Sequence, residues 1–186
     1  YMLSVVVDDY DMKISHVIRG DDHLNNAFRQ YQLYTAMDWP IPKFAHIPLI
    51  HGQDGTKLSK RHGALGIEAY KDQGYLPEAL CNYLLRLGWG HENEEIITRK
   101  QAISLFDVSA IGKSPSRFDI KKLDNINATC MREISETRLF HLLETHLLKN
   151  LNITLDPIKL ERLTRGLSGL RMRAKNINEL AASAMI

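Results

Sequence analysis

Between an apolar run at residues 44–50 and a helix-like pattern that begins at Ile67 stands the stretch GQDGTKLSKRHG, residues 52–63. It constrains the rest of the chain most, because it combines three glycines with two lysines, an arginine and a histidine, and Asp54 is its only acid. Gly52 and Gly55 permit a tight backbone turn, and ammonium groups three residues apart, on Lys57 and Lys60, can close on one oligophosphate with Ser59 between them and Arg61 beside them. Composition alone favours the plainer reading, a solvated hairpin tip that carries surface lysines. A Walker loop does not fit, since GxxxxGK[ST] needs a glycine directly before the lysine and Thr56 stands there.

A chain of 186 residues can bury an ordinary core, as one domain or two small ones. Hydrophobic content of 44% and charged content of 25% are those of a soluble protein. No apolar run approaches the ~18 residues of a membrane span, and no charged-then-apolar signal segment occurs, so a cytoplasmic protein is the expectation. Cys81 and Cys130 have no CxxC or histidine partner at metal spacing and read as reduced and structural; His141 and His146 are five apart, a poor metal pair, so no bound zinc is expected. A net charge of +2 is too small to argue for a nucleic-acid partner. Its distribution says more: Asp8, Asp9, Asp11, Asp21 and Asp22 crowd the start, whereas Arg165, Arg171, Arg173 and Lys175 form an acid-free basic run that suits a solvated helix face or a phosphate contact.

In chain order, residues 3–7 read as a buried β-strand with no turn or cap before it, so the sequence is expected to open with something upstream missing. Residues 8–11 read as a turn and 13–18 as a second strand ending at Arg19 and Gly20. Asp21 or Asp22 can cap a helix over 24–37 with an apolar stripe of Leu24, Ala27, Tyr31 and Tyr34, stopped at Trp39 and Pro40. Arg19 therefore falls at the carboxyl end of a strand, where open α/β sheets bind ligands, and can hold a carboxylate with two parallel hydrogen bonds or pair with Asp21, Asp22 or another neighbour. Residues 44–50 read as a third strand, with His46 packed inside it. Beyond the glycine-rich stretch a short helix at 67–70 ends at Gly74, and a strongly apolar helix at 78–87, with Pro77 in its first turn, closes at Gly88. Tyr83 and Trp89 are core candidates. Residues 91–117 are irregular apart from a helix over 99–106 capped by Thr98, and 112–116 reads as a loop. From Asp119 the pattern is purely helical, over about 120–126, 135–149, 157–167 and 176–185, and this shift marks a boundary near residue 130.

The string Lys57-Leu58-Ser59-Lys60-Arg61, directly after Asp54-Gly55-Thr56, resembles the second signature of class I aminoacyl-tRNA synthetases, written KMSKS, in its glutamyl form. The flanking text is similar to glutamyl-tRNA synthetases as well: VVDDYDMKISHVIRGDDHL before it, then HIPLIHGQDGTKLSKRHGA and GYLPEALCNYLLRLGW, in order over residues 1–127. The resemblance implies an α/β segment followed by a mostly α one: residues 1–74 as the second half of a class I, Rossmann-like catalytic domain, 75–130 as a stem-contact region, and 131–186 as the start of a helical anticodon-binding domain. It implies activation of glutamate by ATP to glutamyl-adenylate and transfer of the acyl group to the 3′ end of tRNA-Glu, with tRNA-Gln left open as a second substrate. By the same resemblance Lys57, Ser59 and Lys60 are catalytic, Lys57, Leu58, Ser59, Lys60 and Arg61 contact ATP, and Tyr1, Arg19, Asp22 and His23 line the glutamate pocket. Magnesium would arrive with ATP, and no motif here binds it alone. The intact enzyme is expected to be a monomer free of membranes.

The first class I signature, written HIGH, does not occur, and the family places it before Tyr1. This chain alone is therefore expected to form no detectable adenylate. The shorter glutamyl-queuosine tRNA synthetase is an alternative against which the helices beyond residue 130 argue, and a non-catalytic tRNA-binding module is another. A glutaminyl enzyme is disfavoured by the text around Arg19 and by a loop that there usually reads VMSKR.

Overall fold

The computed structural model describes residues 2–59, 66–91 and 94–185. The chain opens with helix α1 (Met2–Asp11), followed by strand β1 (His16–Gly20), a one-turn 3-10 helix at Asp21–His23, and α2 (Leu24–Ala36). Strands β2 (Lys43–Ile47) and β3 (Ile50–His51) follow, and then α3 (Ile67–Asp72), α4 (Pro77–Gly88) and α5 (Arg99–Leu105). After strand β4 (Ser116–Arg117) the remainder is α6 (Ile120–Glu133), α7 (Glu136–Leu151), α8 (Pro157–Arg171) and α9 (Ile177–Ala184). β1 pairs in parallel with β2, with Arg19 opposite His46, and β3 pairs in parallel with β4, with His51 opposite Arg117. The architecture is the expected α/β segment followed by a mostly helical one.

The start of the chain departs from the sequence expectation. Residues 3–7 are not a strand and 8–11 are not a turn; both belong to α1, which packs on α2. Three consecutive valines favour extended backbone, but only Val6 is buried while Leu3 is 56% exposed, so the segment presents one narrow face and not the alternation of a strand. The helix closes in a Schellman motif, with Ile14 N–H donating to Asp9 O, Lys13 N–H to Tyr10 O, and Lys13 itself left-handed at φ 57°. α2 ends the same way around Asp38, and the rings just beside these two ends, Tyr10 and Trp39, stack at 4.0 Å.

Other expectations shift by smaller amounts. β1 begins at His16, not at residue 13, and the third strand is broken into β2 and β3. Neither Asp21 nor Asp22 caps α2, because the 3-10 turn intervenes and His23 takes the N-cap position. The inward stripe of α2 is Ala27, Gln30 and Tyr34, whereas Leu24 and Tyr31 are exposed. Ser116 lies in β4, not in a loop. The later helices stand where expected; α6, α7 and α8 run longer, α6 by about two turns, whereas α9 is slightly shorter.

Local chemistry explains their ends. Thr98 and Gln101 form a reciprocal capping box at α5; Ser135, Asp156 and Asn176 cap α7, α8 and α9 with side-chain oxygens. Pro77 and Pro157 occupy first-turn positions where no N–H is missed.

One hydrophobic cluster, including Tyr70, Leu76, Tyr83, Leu123, Leu143 and Leu180, spans α3 to α9. Residue 130 lies inside α6, and this packing continues across it. Trp89 and Tyr83 are buried as expected; the Tyr83 hydroxyl accepts from Asp119 N–H and the Trp89 indole N–H donates to Asp107 O. Two polar features join the halves of this core. Asn127, fully buried, accepts from Leu76 N–H at 2.8 Å and donates to Lys175 O at 2.5 Å. Gly74, at φ 81°, ends α3 in another Schellman motif and accepts from Ile177 N–H at the start of α9, while Asn178 Nδ2 donates to Asp72 O.

Replacing Asn127 by leucine strands a buried N–H and a carbonyl together, and Asn127→Leu is expected to cost ~2–4 kcal/mol. Gly74→Ala is expected to cost at least about 1–2 kcal/mol from the left-handed backbone alone, because its Cβ would also come within 2.9 Å of the Ile177 and Asn178 backbone nitrogens. Urea unfolding of each variant measures both, and an unchanged midpoint would refute either assignment.

Candidate functional site

The site is built where β1 ends. The parallel register sets the Arg19 side chain beside His46, and Arg19 Nε donates to His46 Nε2 at 3.3 Å. Arg19 Nη2 donates to Gln30 Oε1 at 2.8 Å and, more weakly, to the His23 carbonyl at 3.4 Å, and the guanidinium lies 5.7 Å from the Phe44 ring centroid. Every hydrogen-bond acceptor that Arg19 meets among the described residues is uncharged, and none of their carboxylates forms an ion pair with it. The alternative of an ion pair to Asp21 or Asp22 is therefore not what the structure contains. Asp9, on α1, feels the Arg19 charge, but burial dominates and holds its carboxyl above the usual range. Burial, and then the Arg19 charge, push the His46 imidazole below its ordinary value, which favours the neutral ring, and the Arg19 Nε–H donates to its Nε2.

Asp22 and His23 stand at the same junction but turn to other partners. His23 Nδ1 lies 3.1 Å from Asn26 Nδ2, and only its carbonyl meets Arg19. Asp22 is bonded by Lys57 Nζ at 2.6 Å, and this hydrogen bond is the largest cause of its lowered carboxyl value.

That contact carries the glycine-rich stretch to the end of β1. Residues 50–58 form a hairpin: Leu58 N–H donates to Ile50 O, Gly52 N–H to Thr56 O, and Gly55 N–H back to Gly52 O. Gly55 is left-handed at φ 78°, the conformation that follows a type I turn in a three-residue hairpin, and Asp54 Oδ1 accepts from Thr56 N–H to brace it. The first strand of the hairpin is β3, so its pairing with β4, and the bond from Gln53 Nε2 to Phe118 O, tie the turn to the following segment. Lys57 leaves the hairpin pointing at Asp22, Leu58 and Ser59 follow half-buried, and both partners of the ion pair reach solvent. The structure thus brings together Arg19, Asp22, His23 and Lys57. Tyr1, Lys60 and Arg61 lie outside the described residues.

A second cationic feature lies beside the hairpin, a cleft lined by Tyr83, Arg86, Leu87, Ser116, Arg117 and Lys122. Ser116 Oγ donates to Leu87 O across it. Arg117 belongs to both places, since its Nη2 would lie 3.9 Å from a Cβ at Gly55.

Sequence reasoning found Arg19 and Lys57 and missed Gln30 and Asp9, and it read His46 as packing only. A glutamine and a carboxylate at inward helix positions carry no apolar signal. Only the helical spacing from Ala27 through Gln30 to Tyr34 could have pointed to Gln30.

The chain is similar to "Glutamate--tRNA ligase 2" of Zymomonas mobilis subsp. mobilis, 59% identical over 186 residues, which is 100% of this chain and 39% of that protein. It is 58% identical over 185 residues to the protein of the same name from Paramagnetospirillum magneticum, again covering 39% of it. The chain thus spans about two fifths of the length of these relatives. Among solved structures, a glutamate tRNA ligase from Elizabethkingia meningosepticum, crystallised in complex with its amino acid, superposes with a TM-score of 0.86 at 29% identity, covering 100% of this chain and 40% of that one. Residues 1–125 match the family described as tRNA synthetases class I (E and Q), catalytic domain. The chain belongs to this family of class I tRNA synthetases.

Proposed function

We propose that this chain is the part of a glutamate–tRNA ligase that grips glutamate and one side of the ATP phosphates. The observation that carries the reading is Arg19, a cation at the carboxyl end of a parallel strand, held by neutral acceptors with both hydrogens of Nη1 uncommitted among the described residues. Such a group is prepared for an incoming carboxylate. Glutamate has two carboxylates, and the one that attacks phosphorus must keep its lone pairs free of a strong donor. Arg19 is therefore assigned to the side-chain carboxylate, with Tyr1, Asp22 and His23 as further pocket residues.

In the first step the α-carboxylate oxygen attacks the α-phosphate of ATP, a phosphorus–oxygen bond forms, and pyrophosphate leaves. Negative charge spreads over the phosphates, and preorganised ammonium groups stabilise it more than the ground state. Lys60 is proposed as the main contact, Lys57 as the second, and Ser59, Arg61 and the Leu58 backbone as support. Lys57 is the link between the two substrates, because the ammonium that would meet ATP already stands at the junction that holds Arg19. In the second step a ribose hydroxyl at the 3′ end of tRNA-Glu takes the acyl group and AMP leaves. Magnesium enters with ATP as part of the substrate.

The remaining segments follow from the same reading. Residues 75–130 are proposed as the stem-contact region, with Arg86, Arg117 and Lys122 around one cleft able to meet tRNA phosphates, and residues 131–186 as the start of the helical part that leads toward the anticodon. The names of the relatives support tRNA-Glu, and charging assays with tRNA-Glu and tRNA-Gln on the full-length enzyme measure whether the second is also used. A monomer working in the cytoplasm completes the proposal; no helix among the described residues is long and apolar enough to cross a membrane.

Two measurements on the full-length enzyme test the site. Lys60→Ala is expected to slow adenylate formation by about 100-fold or more, read as pyrophosphate exchange, with the fold retained. A wild-type rate would remove Lys60 from the chemistry. Arg19→Lys keeps the charge and loses the planar fork, so it is expected to raise the KM for glutamate far more than the KM for ATP. Equal effects on the two substrates would make Arg19 structural.

A further inference from the structure

Gln30 is a polar side chain in an apolar position. It sits in the middle of α2 on the face that includes Ala27 and Tyr34, and it is 1% exposed. An amide buried this deeply is unfavourable unless its hydrogen bonds are made, yet only half of this one is satisfied: Oε1 accepts from Arg19 Nη2, while Nε2 has no partner among the described residues. One turn further on, the buried Tyr34 hydroxyl likewise has none among them. A leucine or methionine would fill such a position with less electrostatic loss. Stability alone therefore does not account for the glutamine, and its one good bond is to the candidate substrate arginine.

The chemistry of that bond is selective. A carboxylate at position 30 would bind the guanidinium more strongly, but it would also neutralise it and compete with any substrate carboxylate. A neutral carbonyl oxygen fixes the plane of the guanidinium and leaves its charge intact. His46 and the His23 carbonyl, also neutral acceptors, take the Nε hydrogen and the weaker Nη2 contact. Together they bind Nε and Nη2 to the protein and leave Nη1 for a ligand. Asp9, the carboxyl group on the neighbouring helix that senses Arg19, is not in hydrogen-bond contact with it.

We propose that Gln30 is a positioning residue for glutamate recognition, a buried neutral acceptor that aims Arg19 without neutralising it. The inference rests on the reading that Arg19 holds the glutamate side chain, and it adds that the amide at position 30 sets the strength of that grip.

The test is a steady-state comparison in the full-length enzyme of Gln30→Met, Gln30→Glu and Arg19→Met, each with KM determined separately for glutamate and for ATP. Gln30→Met preserves volume and removes the acceptor; it is expected to raise the KM for glutamate about tenfold with the KM for ATP within about twofold of wild type. Gln30→Glu restores an acceptor for Arg19 and adds the neutralising charge, so it is expected to raise the KM for glutamate at least as much although its melting temperature is no lower than that of Gln30→Met. Rescue of glutamate KM by Gln30→Glu, or equal changes for both substrates, would make Gln30 a structural residue and overturn the proposal. Should Gln30→Met fail to fold, Gln30→Glu alone decides by the same criterion. Arg19→Met separates the two levels: if it leaves the glutamate KM unchanged, the site reading itself is wrong, whereas a raised KM there with unaffected Gln30 variants overturns only the positioning role.

Discussion

The candidate site depends on a single pairing, the parallel register of β1 against β2. It places Arg19 opposite His46, and among the described residues the sheet it makes has two strands, so helices supply the remaining contacts. α2 follows β1 after a single 3-10 turn and therefore crosses back near its end, which brings Gln30 within 2.8 Å of the guanidinium. α1 then packs on α2 and contributes Asp9. A shift of one residue in the register would replace His46 by Ala45 or Ile47 as the partner of Arg19 and remove one of its acceptors.

Much of the helical half was legible because its signals are local. Thr98 with Gln101, Ser135, Pro157 and Gly74 each act within one turn of the residue they fix, and a reader of the sequence needs no distant partner to see them. Near the site the signals fail for a physical reason. The residues of α1 that are not exposed are Met2, Val5, Val6, Val7 and Asp9; Met2, Val5, Val6 and Asp9 keep helical spacing, but the last is a carboxyl group and the run of valines suggests a strand. In α2 the inward set contains Gln30. Of the residues that broke the apolar pattern, Gln30 bonds Arg19 and Asp9 feels its charge. β4, with two residues, is too short for any period to register.

The site itself was half legible. Arg19 could be placed from the strand-to-helix junction and Lys57 from the glycine-rich stretch. That Asp22 would pair with Lys57 and leave Arg19 without a carboxylate depends on where the hairpin of residues 50–58 points, and that direction is fixed by β3 pairing with β4 across a separation of more than sixty residues. No local pattern encodes it.

The joint between Gly74 and α9 bears on the order in which the chain can fold. Asp72 O and Asn178 Nδ2, which meet there, are 106 residues apart in sequence. Closing so long a segment costs entropy that nearby contacts do not, and such pairings form late when the intervening chain has not yet collapsed. α4, α6 and α7 lie inside that segment and are rich in local contacts, so they can condense first and shorten the effective loop. During synthesis the α3–α4 turn leaves the ribosome about a hundred residues before its partner. Until α9 emerges, the turn's carbonyls at Asp72 and Gly74 are satisfied by water, and docking of α9 completes the polar joint.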